Sequence, residues 1–343
     1  MGPPMWVSLL GGWCLSVATL RRRRRKLRNS LDPDDPDQAD RLVRLMGSLD
    51  HSLITTRALE FALFRTFGSP SISSILEKGD FPQCPGRRYD DTDLLLREAT
   101  EHGMGSERAQ LALKRINAIH AGWPITNEDM LFTLALFVTQ PIEWIRRYEL
   151  RTCTAVEKRA VVTFWRRFGA AMNIQNIPDT YEGFLAFQED YEKRNFAYAD
   201  SNRTCADATV RVLLSTMPGL VRPLAMPAVH ALCDKRLREA IGYPRALFPV
   251  NFIVPMALRL RALFVGVFVP PRPDDSWAKN RTPRDLPAGM PAPALALLKP
   301  LYHQYHDKSL GCLKYKDGYR IPELGPDRVP AGRLKEAGEM KYL

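Results

Sequence analysis

The chain has 343 residues, of which 45% are hydrophobic and 25% are charged, and its formal net charge is +11. This composition excludes a fully disordered chain, and the length suits one large domain or two ordinary ones. Six of the positive charges form one run, residues 21–26, directly after an apolar segment. The rest of the chain carries only about +5, so the charge pattern favours an anionic membrane surface and argues against a nucleic-acid partner.

The uncharged segment 5–20 predicts a single-pass membrane anchor. As a helix it extends about 24 Å, slightly less than a bilayer core of roughly 27–30 Å. Trp6 suits one interface, and the arginines after residue 20 suit the other. A cleaved signal peptide and a buried segment of a soluble domain are the alternatives. Because the side-chain positive charge follows the segment, we expect an endoplasmic reticulum (ER) membrane protein whose main domain faces the cytosol.

After a basic and polar linker, residues 21–38, the pattern becomes helical. Apolar residues recur at three- and four-residue spacing through residues 39–269, which is typical of amphipathic helices. Thr154 and Glu157 form a capping-box pattern at the start of one of them. We therefore predict one all-α helical-bundle domain, with helices over 39–49, 56–67, 92–102, 106–121, 127–138, 141–151, 155–172, 180–196, 201–216, 227–241 and 251–268.

Two later segments carry separate expectations. Residues 252–269 are apolar but include Arg259 and Arg261, and charges at the centre of a membrane span are unfavourable. We expect a packed core helix here, with a basic amphipathic helix on the membrane surface as the alternative. Residues 270–343 are proline-rich and then polar, so we interpret them as an irregular C-terminal extension. His303 and His306 have a metal-binding spacing, but they lie in this polar part.

His120 is the candidate metal ligand. Leu113, Ile116, Asn117 and His120 share one face of a predicted helix, so the imidazole points inward. A buried neutral imidazole is a good iron ligand when its second nitrogen has a partner. A structural histidine in the core is the alternative.

Other polar residues surround this position in the sequence. Arg115 looks half buried on the same helix, and a buried guanidinium needs an anionic partner such as Asp129. A structural salt bridge is the alternative. The dense cluster 88–92 contains Arg88 and Asp91, which either cap a helix or grip a ligand near the mouth of a pocket.

Four segments in order resemble a known family: residues 88–103, 114–138, 143–151 and 172–192. They are similar to the catalytic domain of fungal ER-bound MpaB-type oxygenases and bacterial rubber oxygenases (latex clearing proteins), most of all to the fungal branch. The resemblance covers roughly residues 40–250. It implies an all-α domain that binds haem b and uses O₂ to cleave a C=C bond of a prenyl or other isoprenoid-type lipophilic substrate.

The resemblance also implies roles for the candidate residues. His120 is the axial iron ligand. Arg115 or Asp129 polarises bound oxygen, and Arg115 also suits a haem propionate. Arg88 and Asp91 are expected to bind the cofactor.

One departure from the family pattern leaves a second function open. Many bacterial relatives have another histidine on the helix after His120, where this sequence has Phe-Thr-Leu at 132–134. The alternative function is a non-catalytic, membrane-tethered helical protein that binds a lipid or prenyl compound.

Overall fold

The computed structural model describes residues 5–79, 81–215, 220, 222–273, 282 and 319–329. Within them the chain forms thirteen α-helices and no β-strand, which confirms the predicted all-α class. His303 and His306, with most of the C-terminal extension, lie outside the described residues. The helices are α1 (Met5–Asn29), α2 (Pro36–Arg44), α3 (Ser52–Thr66), α4 (Pro70–Lys78), α5 (Pro85–His102), α6 (Glu107–His120), α7 (Asn127–Tyr148), α8 (Ala155–Ala171), α9 (Tyr181–Asn195), α10 (Asp200–Ser215), α11 (Arg222–Leu232), α12 (Lys235–Ile241) and α13 (Phe248–Phe268).

Helix α7 forms the centre of the bundle and packs against α3, α8, α9 and α13. Its second half is buried nearly all round, as expected of a helix that is apolar on every side. Phe132 stacks on Tyr191 of α9 with ring centroids 4.0 Å apart, and Phe137 stacks on Trp165 of α8 at 4.8 Å. These aromatic contacts fix the neighbouring helices around α7.

Three predicted helices are divided differently in the structure. Helix α7 continues through Pro141, where the sequence predicted a break; proline removes one backbone donor, and the packing around α7 compensates for that loss. The predicted helix 39–49 becomes α2 followed by a π-helical turn, Leu45–Asp50. The predicted helix 227–241 is two helices, because the Asp234 side chain caps the start of α12.

Helix α1 extends through residues 21–28, which the sequence assigned to a linker. Arg24 and Arg28 are buried against the domain. Arg28 bonds to Asp50 and lies 3.2 Å from Glu157, while Arg24 lies 3.5 Å from Asp50. A buried guanidinium requires such carboxylate partners. Part of the basic run therefore docks α1 onto the domain instead of facing a membrane.

Helix α13 is not the packed core helix that the sequence predicted. Its inner side is tied to the end of α7, where Arg261 pairs with Glu149 at 2.6 Å and Arg259 donates to the Arg147 carbonyl at 3.0 Å. These contacts satisfy both charges on the side of the domain. Its outer side carries large apolar side chains that are more than half exposed: Phe252, Ile253, Leu260 and Phe264.

The candidate membrane span also differs in position from the prediction. In the described part of the chain, α13 is the one helix long and apolar enough to cross a membrane, judged by length and composition. The predicted anchor, residues 5–20, is a shorter apolar stretch, and the arginines follow directly after it. Trp13 of α1 donates to the Phe268 carbonyl at 2.8 Å, and Arg21 donates to the Val265 carbonyl at 2.8 Å. The two apolar helices therefore pack against each other.

A buried ion pair between α3 and α9 gives a test of the packing. Arg65 donates to both carboxylate oxygens of Glu192, at 2.7 and 2.6 Å. We expect Glu192→Ala to lower the free energy of unfolding by about 3–5 kcal/mol, because a buried guanidinium loses its main partner. Asp190→Ala, in the same helix but in an exposed pair with Arg194, should cost less than about 1 kcal/mol. Urea unfolding measures both, and equal losses would contradict the expectation.

Candidate functional site

Two neighbouring cavities lie inside the bundle. The histidine cavity, of about 240 Å³, is lined by residues of α5, α6 and α7 and includes His120. The threonine cavity, of about 180 Å³, is lined mainly by α3 and α5 and includes Thr55 of α3 and Thr209 of α10. An apolar cavity of roughly 150 Å³ already binds benzene, so each can hold an organic group. Both cavities share one wall, formed by Leu63, Thr66, Leu76, Arg88, Thr92, Leu96 and Phe137.

His120 is the last residue of α6 and lines the histidine cavity beside Ile116 and Ile119. Burial, assisted by the nearby charge of Arg88, lowers the pKa of the imidazole to about 4. The ring is therefore neutral at pH 7. Its Nδ1 atom is buried without a hydrogen-bond partner, which is uncommon for a buried polar atom. At pH 7 the imidazole is thus an uncharged candidate metal ligand. No hydrogen bond through Nδ1 fixes its orientation.

Arg88 and Asp91 line the same cavity from α5. Asp91 is buried; one carboxylate oxygen accepts a hydrogen bond from the Gly325 N–H at 2.9 Å, and the other lies 3.4 Å from Arg88. Helix α5 begins at Pro85, so Asp91 is inside the helix and does not cap its start. The cluster 88–92 therefore places a cation and a carboxylate on the cavity wall.

Arg115 is fully buried but is not among the described residues that line the histidine cavity. Its guanidinium donates to the backbone carbonyls of Leu324 and Val329, at 2.5 and 2.6 Å. This position differs from the predicted contact with Asp129 or a cofactor carboxylate. In the structure Arg115 holds the C-terminal segment 319–329 against α6.

Asp129 lines the histidine cavity near the start of α7. Its carboxylate accepts hydrogen bonds from the Ser71 hydroxyl at 2.9 Å and from the Tyr191 hydroxyl. Burial and the bond to Asp129 raise the pKa of the Tyr191 phenol, which keeps it a hydrogen-bond donor at pH 7. The network ties α4, α7 and α9 together around the cavity.

The sequence did not indicate that residues 319–329 complete the cavity wall. Gly325 lines the histidine cavity from this segment, and its φ of +98° favours glycine. A Cβ atom at this position would lie 2.5 Å from the Ile119 side chain. Nearby, Arg328 stacks over the Trp123 ring at 4.0 Å. A glycine after Leu324 in a polar tail is a signal for a turn, but not for its place against α6.

Comparison with known proteins gives a consistent result. The family model described as "ER-bound oxygenase mpaB/B'/Rubber oxygenase, catalytic domain" matches residues 62–251. The ER-bound oxygenase mpaB' of Penicillium brevicompactum is 30% identical over 79% of this chain and 70% of its own length. The ER-bound oxygenase mpaB of Penicillium roqueforti is 32% identical over 70% of this chain and 91% of its own length. The chain belongs to this oxygenase family.

The match to the MpaB and rubber oxygenase family confirms the resemblance predicted from the four sequence segments. The matched region contains His120, Arg88 and Asp91, as well as Arg115 and Asp129. It does not include α1 or the segment 319–329, so in this family member part of the cavity wall comes from outside the matched catalytic region.

The close packing of Gly325 against Ile119 at the wall of the histidine cavity can be tested by measuring protein stability. We expect Gly325→Ala to lower the free energy of unfolding by about 1–3 kcal/mol, because the new Cβ meets Ile119 in a backbone conformation that alanine disfavours. Gly105→Ala is the control, since a Cβ there has no neighbour within 4 Å. Thermal or urea unfolding of the full chain measures both changes. If the two variants are equally stable, the segment does not pack as described.

Proposed function

We propose that the chain is a haem-dependent oxygenase that cleaves a C=C bond of a prenyl or other isoprenoid-type lipophilic substrate with O₂. The observation that carries the proposal is the neutral imidazole of His120 in the wall of a mainly apolar cavity. Membership of an oxygenase family supports the reaction type, and the relatives named as oxygenases support it further.

The donor side chains of the histidine cavity suit a haem. Among the described residues no cluster of three or more His, Cys, Asp or Glu side chains could hold a metal ion, and His120 is the one histidine among the described residues that line this cavity. A single imidazole would suit a porphyrin iron, because the macrocycle would supply most of the other ligands. His120 would bind the iron, and Arg88 would offer its positive charge to a propionate, with Asp91 fixing its position.

The chain's own residues orient the substrate and exclude water. When bound, haem supplies the chemistry with O₂ that replaces the C=C bond by two C=O groups, with one oxygen atom going to each carbon. Apolar side chains such as Ile116 and Phe168 line the cavity and keep water away from the alkene. The resemblance assigned Asp129 or Arg115 to bound oxygen. Here we propose positioning roles instead: Asp129 bonds to α4 and α9, and Arg115 holds segment 319–329.

Haem binding through His120 is directly testable by absorption spectroscopy. We expect the purified chain, expressed with haem supplied, to show a Soret band, and His120→Ala to weaken haem binding at least tenfold, about 1.4 kcal/mol. His230→Ala is the control, because His230 packs against the Tyr243 ring, with centroids 5.0 Å apart, and does not line either cavity. Equal Soret bands in wild type and His120→Ala would contradict the ligand assignment.

The same spectrum separates the oxygenase from the second function. Thr133 lines the histidine cavity in the region where many bacterial relatives have another histidine. A correctly folded but colourless chain that still binds a prenyl compound would indicate the membrane-tethered carrier. In that case the cavities hold the lipid without the chemistry.

The proposal places the protein on the ER membrane, with α1 and α13 as its membrane contacts and the domain in the cytosol. Relatives described as ER-bound support the organelle. Exposed apolar side chains support the contact, because soluble monomers rarely expose large apolar patches; on α1 they include Leu9 and Leu15, and on α13 Leu260 and Phe264. The exposed arginines Arg22, Arg23 and Arg25 follow the apolar part of α1 and suit anionic headgroups.

Membrane contact of α13 is testable with a photoreactive side chain in the full chain. Benzoylphenylalanine in place of Phe264 should form lipid adducts in vesicles of phosphatidylcholine and phosphatidylserine, because the side chain faces outward from α13. The same group at the exposed position of Asp190 on α9 should form none. Mass spectrometry identifies the adducts. Adducts from position 264 to protein alone would show that α13 faces a protein surface.

A further inference from the structure

The threonine cavity contains two hydroxyls that no residue satisfies. Thr55 Oγ1 and Thr209 Oγ1 are buried and have no hydrogen-bond partner. Thr55 is 8% exposed, and the two residues line the cavity from α3 and α10. Buried polar groups in proteins are nearly always hydrogen-bonded. Two exceptions in one cavity therefore require an explanation.

Other threonines of the same cavity show the usual arrangement. Thr66 Oγ1 donates to the Leu63 carbonyl at 2.7 Å, and Thr92 Oγ1 donates to the Arg88 carbonyl at 3.0 Å. Threonine in a helix commonly bonds to its own helix in this way. Thr55 and Thr209 make no such bond, so their hydroxyls remain available to a ligand.

Several charged groups of the threonine cavity are paired with each other. Arg97 lies 2.9 Å from Asp93 and 2.8 Å from Glu101. The Tyr89 hydroxyl donates to Glu60 at 2.6 Å. Most of the remaining lining is apolar. A ligand that matches this cavity is therefore neutral and lipophilic, with an oxygen atom that accepts hydrogen bonds.

We propose that the threonine cavity binds the oxygen-bearing end of the lipophilic substrate, with the unsatisfied Thr55 and Thr209 hydroxyls as the donors available to a neutral carbonyl, ether or hydroxyl oxygen. The inference rests on the proposed function, because the ligand considered is the substrate of the proposed oxygenase. Leu96 and Phe137 line both cavities, so a ligand held in the threonine cavity lies next to the histidine cavity. The two threonines thus contribute to substrate specificity and to the position of the substrate relative to the histidine cavity.

Two probes of similar size test the hydrogen bonds. Geranylacetone has an isoprenoid chain and a ketone oxygen, whereas farnesene is a hydrocarbon. We expect at least one of Thr55→Val and Thr209→Val to weaken geranylacetone binding to the full chain about five- to tenfold, the value of one hydrogen bond, and both variants to leave farnesene binding unchanged. Thr204→Val is the control on α10, because its hydroxyl bonds to the Asp200 carbonyl.

Stability measurements distinguish a ligand-binding hydroxyl from a structural one. Without ligand, removal of an unsatisfied hydroxyl should leave the Tm of both variants unchanged or slightly raised. Unchanged geranylacetone affinity in both variants, or a lower Tm with equal loss of both probes, would overturn the inference.

Failure of the proposed function gives a different result. If the wild-type chain shows no Soret band but its ketone binding still depends on the threonines, the haem reaction is contradicted and the binding site is supported. A normal Soret band with no effect of either valine variant would remove the threonine site and keep the oxygenase. Leu59→Trp, which narrows the threonine cavity alone, should weaken both probes without changing the Soret band, and unaffected binding of both probes would place the ligand elsewhere.

Discussion

The site depends on one physical constraint, an imidazole kept uncharged at the wall of an apolar cavity. Burial of His120 and the nearby charge of Arg88 lower the pKa of the ring to about 4, so the nitrogen lone pair is available at neutral pH. Helix α7 provides the opposite packing surface, with Met130, Thr133 and Leu134 lining the cavity.

Part of the wall of the histidine cavity comes from a segment that lies outside the region matched to the catalytic domain. Segment 319–329 is held by Arg115 through two backbone carbonyls and by Asp91 through the Gly325 N–H. Both side chains come from α5 and α6, the helices that also carry Arg88 and His120. His120 and Arg88, which we propose bind the cofactor, and segment 319–329 are therefore held by the same two helices, and a shift of either helix alters both.

The sequence predicted the parts of the fold that depend on local rules. The capping box of Thr154 and Glu157 is present at α8 with both hydrogen bonds, and most helices lie where the apolar spacing placed them. For residues 252–269 the sequence favoured a packed core helix over an amphipathic surface helix. The structure instead leaves an apolar face of α13 exposed and ties Arg259 and Arg261 to the end of α7. The place of Gly325 in the cavity wall could not be predicted from local sequence patterns, since it depends on contacts between residues more than two hundred positions apart.

The position of the iron tests the account most directly. Crystals of the haem-loaded full chain, measured at the iron absorption edge, locate the metal by its anomalous signal. We expect one iron in the histidine cavity at bonding distance from a ring nitrogen of His120, with the Arg88 guanidinium on the propionate side. An iron bound by a different residue, or haem bound outside this cavity while His120 packs against protein alone, would contradict it.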